Sequence, residues 1–184
     1  MEVNVVDRVN AYTGIGSRQT PKEILKMMYQ LGYKLSKKGL MLRSGGAIGA
    51  DTAFEKGCID GENKKEIYLP WNGYNERIAN VYKGYIVPEF PSEFADEMIS
   101  RFHPNPPAIF SNPKYHALMS RNINQLLGKD LNKKSSMVIC WTPWGHETGG
   151  TGFAIKVAKY LGIDVWNLGI KQHFNWIMEF LTER

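Results

Sequence analysis

Three stretches of this chain carry residues whose types and spacing could do chemistry. In the first, residues 42–55 (LRSGGAIGADTAFE), Gly45, Gly46 and Gly49 form a turn between a short apolar run and a helical pattern. Such a turn can offer backbone N–H groups and the positive end of a helix dipole to an anion, and its glycines let a phosphate or ribose approach the main chain. Glycines at such turns also serve simply to relieve strain. Asp51 and Glu55, four residues apart at the start of the helix, share a face close to the turn. They could complement the helix dipole. Alternatively, Asp51 could accept hydrogen bonds from a sugar or base while Glu55 acts at an anomeric carbon or polarises a water.

The second stretch is GIGSRQTP, residues 14–21, where Arg18 is either a solvated loop residue or a bidentate partner for a phosphate or carboxylate. The third is TPWGHETGGTGFA, residues 142–154, a second glycine-rich loop opening onto a helix. One loop could be only a turn. Two loops from separate strands are what the two sides of a pocket at a strand-order reversal require.

The elements that must position these loops follow from periodicity. Apolar runs at residues 9–14, 40–42, 66–69, 137–141 and 165–168 read as strands, the fourth continuous enough to be buried on both faces. Between the first two, Thr20 is expected to cap a helix beginning at Pro21, with Ile24, Met28, Leu31 and Leu35 as its apolar stripe. From about residue 82 to 130 the alternation stops. Proline-rich connections there separate two helical patterns, and the second places Leu118, Arg121, Asn122 and Gln125 on a face away from its apolar stripe. That polar face could line a pocket or meet solvent, and the insertion reads as a lid or a dimer surface. Trp71 and Tyr74, beyond the third strand, could stack on a base or cover the sheet edge.

Composition narrows the class. A chain of 184 residues suits one domain, and 23 Lys and Arg against 18 Asp and Glu, a net charge of +5, mildly favour anionic ligands. Cys58 and Cys140 read as reduced core residues, and His103, His116 and His146 have no ligand spacing, so neither metal nor cofactor is expected. With neither a leader pattern nor a long apolar run, a cytoplasmic protein without a membrane span is expected.

GSR after the first strand, SGGAIGADTAFEKG after the second, SRN in the insertion and CWTPWGHETGGTGFAIKVAKYLGIDVWNL at the end resemble the SLOG superfamily. This Rossmann-like group joins the Smf/DNA-processing protein A family to the LONELY GUY phosphoribohydrolases. The likeness extends from about residue 12 to 168, and is strongest to the small DNA-processing protein A-like members common in bacteriophage genomes. It implies a ligand surrounded by Gly16, Ser17 and Arg18, by Ser44, Gly45, Gly46, Gly49 and Asp51, and by Thr142, Gly149, Gly150, Thr151 and Gly152. Arg121 and Asn122 match the RN pair of the DNA-processing branch. Homo-oligomers are also implied.

Two departures matter. The phosphoribohydrolases carry GGxGTxxE, but in GGTGFAIK the threonine position is Phe153 and the glutamate position is Lys156. Only Glu55 or Glu147 could then act as the catalytic group. The DNA-processing proteins generally carry further domains, and although Trp71, Trp141 and Trp144 could stack on bases, no continuous Lys/Arg stripe marks the path of a strand.

Three functions are therefore expected in this order: binding of a nucleotide or nucleotide-derived signal, which in a phage would sequester a host defence messenger; N-glycosidic hydrolysis of a nucleoside monophosphate; and single-stranded DNA binding in recombination. The expected architecture is a single Rossmann-like domain over residues 1–184. It has an open, mostly parallel five-stranded sheet of order 3-2-1-4-5, helices on both faces, and residues 82–130 as a helical insertion between strands 3 and 4.

Overall fold

A computed structural model describes residues 10–183. Its centre is a sheet in the order β4-β3-β2-β1-β5-β6, formed by β1 Ala11–Gly14, β2 Met41–Ser44, β3 Lys65–Tyr68, β4 Tyr85–Ile86, β5 Met137–Cys140 and β6 Asp164–Asn167. All five ladders are parallel, and Tyr12 sits between Leu42 and Met137. The expected order 3-2-1-4-5 is present within it, but the sheet has six strands rather than five. The added strand, β4, is two residues long, too short to show any alternation. It exists because the edge of β3 needs acceptors: Ile67 N–H donates to Gly84 O and Leu69 N–H to Ile86 O, both at 2.7 Å. The expected first strand began at Val9, which lies outside the described residues.

Helices cover both faces. On one lie α1 Lys22–Lys37, α2 Ala50–Asp60 and α7 Lys171–Thr182, packed on Tyr12, Leu42, Ile67 and Ile139. On the other lie α3 Glu93–Phe102, α4 Pro106–Phe110, α5 Pro113–Leu127 and α6 Gly149–Tyr160, packed on Val138 and Cys140. The alternation of Val138, Ile139 and Cys140 between the two clusters is why this run is apolar at every position. Cys58 and Cys140 are free thiols in these clusters.

Two local details differ from expectation. Pro21 is the N-cap of α1 rather than its first residue, and Thr20 does not cap it: the Thr20 hydroxyl donates to Ser17 O at 2.5 Å and closes the preceding loop. The second concerns α5, whose polar face was open to either a pocket or solvent: every residue from Ser120 to Leu127 is buried, so Arg121, Asn122 and Gln125 do not meet solvent as an ordinary outer face. The Thr13 hydroxyl donates to Gln125 O at 2.6 Å and pins this helix above the carboxyl end of β1.

Helices α1 and α2 pack backbone to backbone. A Cβ on Gly57 would lie 2.1 Å from Tyr29 O, and one on Gly32 would lie 2.6 Å from Phe54 O. Close contact here sets the start of α2, and therefore Asp51, against the β1–α1 loop.

Candidate functional site

The chain leaves β1 for β2 on one side and reaches β5 on the other, so strand order reverses between β1 and β5. Crevices form at the carboxyl ends of strands at such points, because the flanking loops run to opposite faces. Here a cleft of about 410 Å³ opens. The β1–α1 loop contributes Ile15, Gly16, Ser17, Arg18 and Gln19, and the start of α2 contributes Ala47 and Asp51. Helix α5 contributes Leu118, Met119, Arg121, Asn122 and Gln125. The β5–α6 loop adds Pro143, Thr148, Gly149, Gly150 and Thr151, and Tyr74 enters from the segment between β3 and β4.

Each wall has a local reason. Ser17 N–H donates to Trp141 O at 3.1 Å, which carries the β1–β5 pairing into the loop. A Cβ on Gly16 would lie 2.5 Å from the Ala50 Cβ, so only glycine lets this loop rest on α2. Helix α6 starts at Gly149, with φ at +64°, after Thr148, whose side chain makes no cap hydrogen bond. Thr148 thus leaves the first N–H groups of α6 without a side-chain cap where Gly149, Gly150 and Thr151 line the cleft.

Arg121 dominates the electrostatics. It is 6 % exposed, and its Nε has no hydrogen-bond partner among the described residues. Among the described residues no carboxylate pairs with it within ion-pair distance. Its Nη1 donates to Asn122 Oδ1 at 2.7 Å, and Gln125 Nε2 donates to the same oxygen at 3.1 Å. Asn122 Nδ2 in turn reaches Gly150 O at 3.4 Å, linking α5 to the start of α6. Asp51 is 4 % exposed and accepts from Ala47 N–H at 3.1 Å. Burial pushes its carboxyl above the usual range, outweighing the lowering pull of Arg121 and of the Ala47 and Gly45 N–H groups.

Among the residues singled out from sequence, Gly16, Ser17, Arg18, Asp51, Arg121, Asn122, Gly149, Gly150 and Thr151 meet in this cleft. Leu118, Gln125 and Tyr74 join them there, and the remaining residues lie outside the lining. The Ser44 hydroxyl donates to Gly14 O at 2.6 Å, and the Thr142 hydroxyl accepts from Asn167 Nδ2 at 2.7 Å. Gly45 packs behind Arg121, and Gly46 packs against Arg77, Leu69 and Ile67. Gly49 is the N-cap of α2 with φ at +100°. Gly152 is pressed against the Glu147 backbone. Trp71 sits behind Tyr74, with ring centroids 5.2 Å apart at 87°, and Trp144 is 87 % exposed.

Both candidate acids are occupied elsewhere. Glu55 is buried, accepts from Arg77 Nε at 3.0 Å, Arg77 Nη2 at 2.8 Å and the Tyr85 hydroxyl at 2.6 Å, and has Lys65 at 3.5 Å. Glu147 is ion-paired with Lys159.

No family model matches this chain, and no curated protein matches it. Solved structures do. The Moco carrier protein of Chlamydomonas reinhardtii superposes with a TM-score of 0.52 at 18 % identity, over 94 % of this chain and 84 % of that one. A second structure of that molybdenum cofactor carrier protein gives a TM-score of 0.50 at 16 % identity, over 94 % and 82 %. The shared fold is Rossmann-like α/β. No helix among the described residues is long and apolar enough to cross a membrane.

Sequence reasoning left Gln19, Ala47, Met119, Pro143 and Thr148 unassigned, although they line the cleft. Ala47 and Thr148 border the glycines, and adjacency was the signal that could have found them. Met119 carried no such signal: it belongs to the apolar stripe of α5 and reaches the cleft only because that helix is surrounded.

Proposed function

We propose that this chain is a SLOG-type binding protein for a nucleotide or nucleotide-derived anion, held at the carboxyl edge of the sheet. The observation that carries the reading is Arg121, a nearly fully buried guanidinium on the wall of an open cleft that has, among the described residues, no carboxylate within ion-pair distance and no hydrogen-bond partner for its Nε. A buried cation whose carboxylate neighbour, Asp51, acts on it only from beyond ion-pair distance is costly, on the order of several kcal/mol, and a bound phosphate would offset that cost. The uncapped start of α6 and the exposed Arg18 offer further donors around the same space. Asp51 is available to accept from a sugar hydroxyl. The fold-alike Moco carrier protein is named for a small-molecule cofactor, which fits a small-ligand site in this architecture.

Binding without turnover is favoured over N-glycosidic hydrolysis. Lys156 stands where the phosphoribohydrolases have their glutamate, Glu55 is enclosed by Arg77, Lys65 and Tyr85, and Glu147 is held by Lys159.

The test is to denature protein purified from cells, identify released small molecules by mass spectrometry, and titrate fresh protein with mononucleotides and cyclic nucleotides. An intact nucleotide, bound by the native protein and lost on Arg121→Ala, is the expected result. Free base with ribose phosphate would replace binding by hydrolysis. Absence of any nucleotide affinity, with salt-sensitive binding of single-stranded DNA instead, would overturn the proposal.

A further inference from the structure

The only aromatic ring among the described residues lining the cleft is Tyr74, and the chain takes unusual backbone conformations to place it there. Gly73, Asn75 and Glu76 all have positive φ, at +84°, +48° and +64°, so two side-chain-bearing residues in succession occupy the left-handed region. Such a turn persists only where its surroundings over-determine it. Asn75 Nδ2 donates to Gly46 O at 2.9 Å, Gly73 N–H donates to Arg77 O at 3.0 Å, and Arg77 N–H donates to Tyr74 O at 3.1 Å.

The Arg77 guanidinium then reaches α2, donating to Thr52 Oγ1 at 3.2 Å and to Glu55 Oε2 through both Nε and Nη2. The other Glu55 oxygen accepts from the hydroxyl of Tyr85 on β4. One buried carboxylate therefore ties down the strap from Trp71 to Tyr85 at two points. Trp71 packs at right angles to Tyr74 and supports its ring. Leu118 and Met119 add apolar side chains to the lining of the same cleft, and the Arg121 guanidinium carbon lies 5.9 Å from the Tyr74 ring centroid. An anion-binding cation and a flat apolar surface are thus neighbours, within the reach of one ligand that joins an anionic group to a planar ring.

We infer that Tyr74 reads the planar ring of the ligand by stacking, and that Glu55, acting through Arg77, is its positioning residue. The inference rests on the reading of the cleft as a phosphorylated-ligand site, and it assigns the ring-binding half of that site. Stacking on an aromatic side chain tolerates different bases, because every base has a π face. Tyr74 accordingly selects for the presence of a ring more than for its identity. The Glu55 cluster then serves the site at one remove: it touches no ligand and fixes the wall that does.

The experiment compares ribose 5-phosphate, which lacks a ring, with AMP, GMP, CMP and UMP by calorimetric titration of the wild type and of Tyr74→Ala, Tyr74→Phe, Glu55→Gln, Arg77→Gln and Arg121→Ala. Tyr74→Ala should weaken the nucleoside monophosphates by at least about tenfold, leave ribose 5-phosphate within about twofold, and be rescued by Tyr74→Phe. Arg121→Ala should weaken both ligand types. Glu55→Gln should reproduce the ring-dependent loss, and Arg77→Gln, which breaks the same link from the surface side, replaces it should Glu55→Gln fail to fold. Equal loss for ringed and ringless ligands, or no loss in Tyr74→Ala, overturns the inference and leaves the phosphate reading intact. If the wild type binds neither ligand type, the phosphate reading itself has failed and this inference falls with it.

Discussion

The guanidinium of Arg121 occupies the space that a side chain at Gly45 would need. A Cβ on Gly45 would lie 2.1 Å from Arg121 Nη1 and 2.4 Å from Gln125 Nε2. The glycine in the β2–α2 turn therefore serves the neighbouring helix: its missing side chain is what lets Arg121 lie flat against the turn. Gly45→Ala is expected to push the guanidinium aside. Because the displaced atoms are ends of side chains, the thermal midpoint should move little, while affinity for an anionic ligand falls about tenfold or more, equivalent to about 1.4 kcal/mol. Paired thermal unfolding and ligand titration check this; a loss of stability with unchanged affinity would contradict it.

Asp51 makes stability depend on pH. Its carboxyl is raised by burial above the ordinary value of 3.8, so the folded protein holds this proton more tightly than the unfolded chain does. That contribution is fully present below 3.8 and is lost as pH rises through the folded-state value. Asp51→Asn, permanently neutral and still able to accept from Ala47 N–H, should therefore be more stable than wild type at neutral pH, and the difference should close on the acid side of 3.8. Thermal unfolding across that range is the measurement. A variant less stable at neutral pH would show that attraction to Arg121 outweighs burial.

Removing the Glu55 carboxylate should cost stability as well as affinity for ringed ligands. The side chain is 5 % exposed and is shared by Arg77, Lys65 and Tyr85. Burial and the carboxylate push the Tyr85 phenol up to about 12, while burial lowers Lys65 and the Glu55 carboxylate opposes that shift. Glu55→Ala leaves two partly buried cations without their carboxylate, and the expected loss is about 1–3 kcal/mol by denaturant unfolding. A loss below about 1 kcal/mol would mean that the strap is not anchored there.

Glu147 should behave as a surface residue. Its partner Lys159 is 59 % exposed and Glu147 itself 30 %. Glu147→Gln is expected to change stability by less than about 1 kcal/mol and to leave nucleotide affinity within about twofold. Loss of a measurable base-releasing activity in this variant alone would restore the hydrolase reading.

Local pattern was enough to reveal the alternation of strands and helices and two of the glycine-rich turns, whereas the strand order 3-2-1-4-5 was expected together with the resemblance to a Rossmann-like superfamily. Strand periodicity, strand length and turn glycines are properties of neighbouring residues, and the 137–140 run betrays two buried faces by its apolarity alone. The residues of those turns that meet in the cleft, Gly16 to Arg18, Asp51 and Gly149 to Thr151, were legible for the same reason.

What tertiary structure decided was the environment of residues that look alike in one dimension. Asp51 and Glu55 are one turn apart on α2, yet Asp51 lines the cleft while Glu55 lies under the strap, because only the path from Trp71 to Tyr85 brings Arg77 and Tyr85 to the second and not the first. Arg121 and Asn122 sit on a face whose polarity suits solvent as well as a pocket, and Thr13 on a strand more than a hundred residues earlier helps hold that face inside. The two residues of β4 pair only because β3 already presents an edge. Turn and strand formation depend on near neighbours along the chain and can be read from it. Burial, counter-charge and edge pairing depend on what the folded chain brings alongside, and these decided that the buried cation of the cleft is Arg121 and that its aromatic wall is Tyr74.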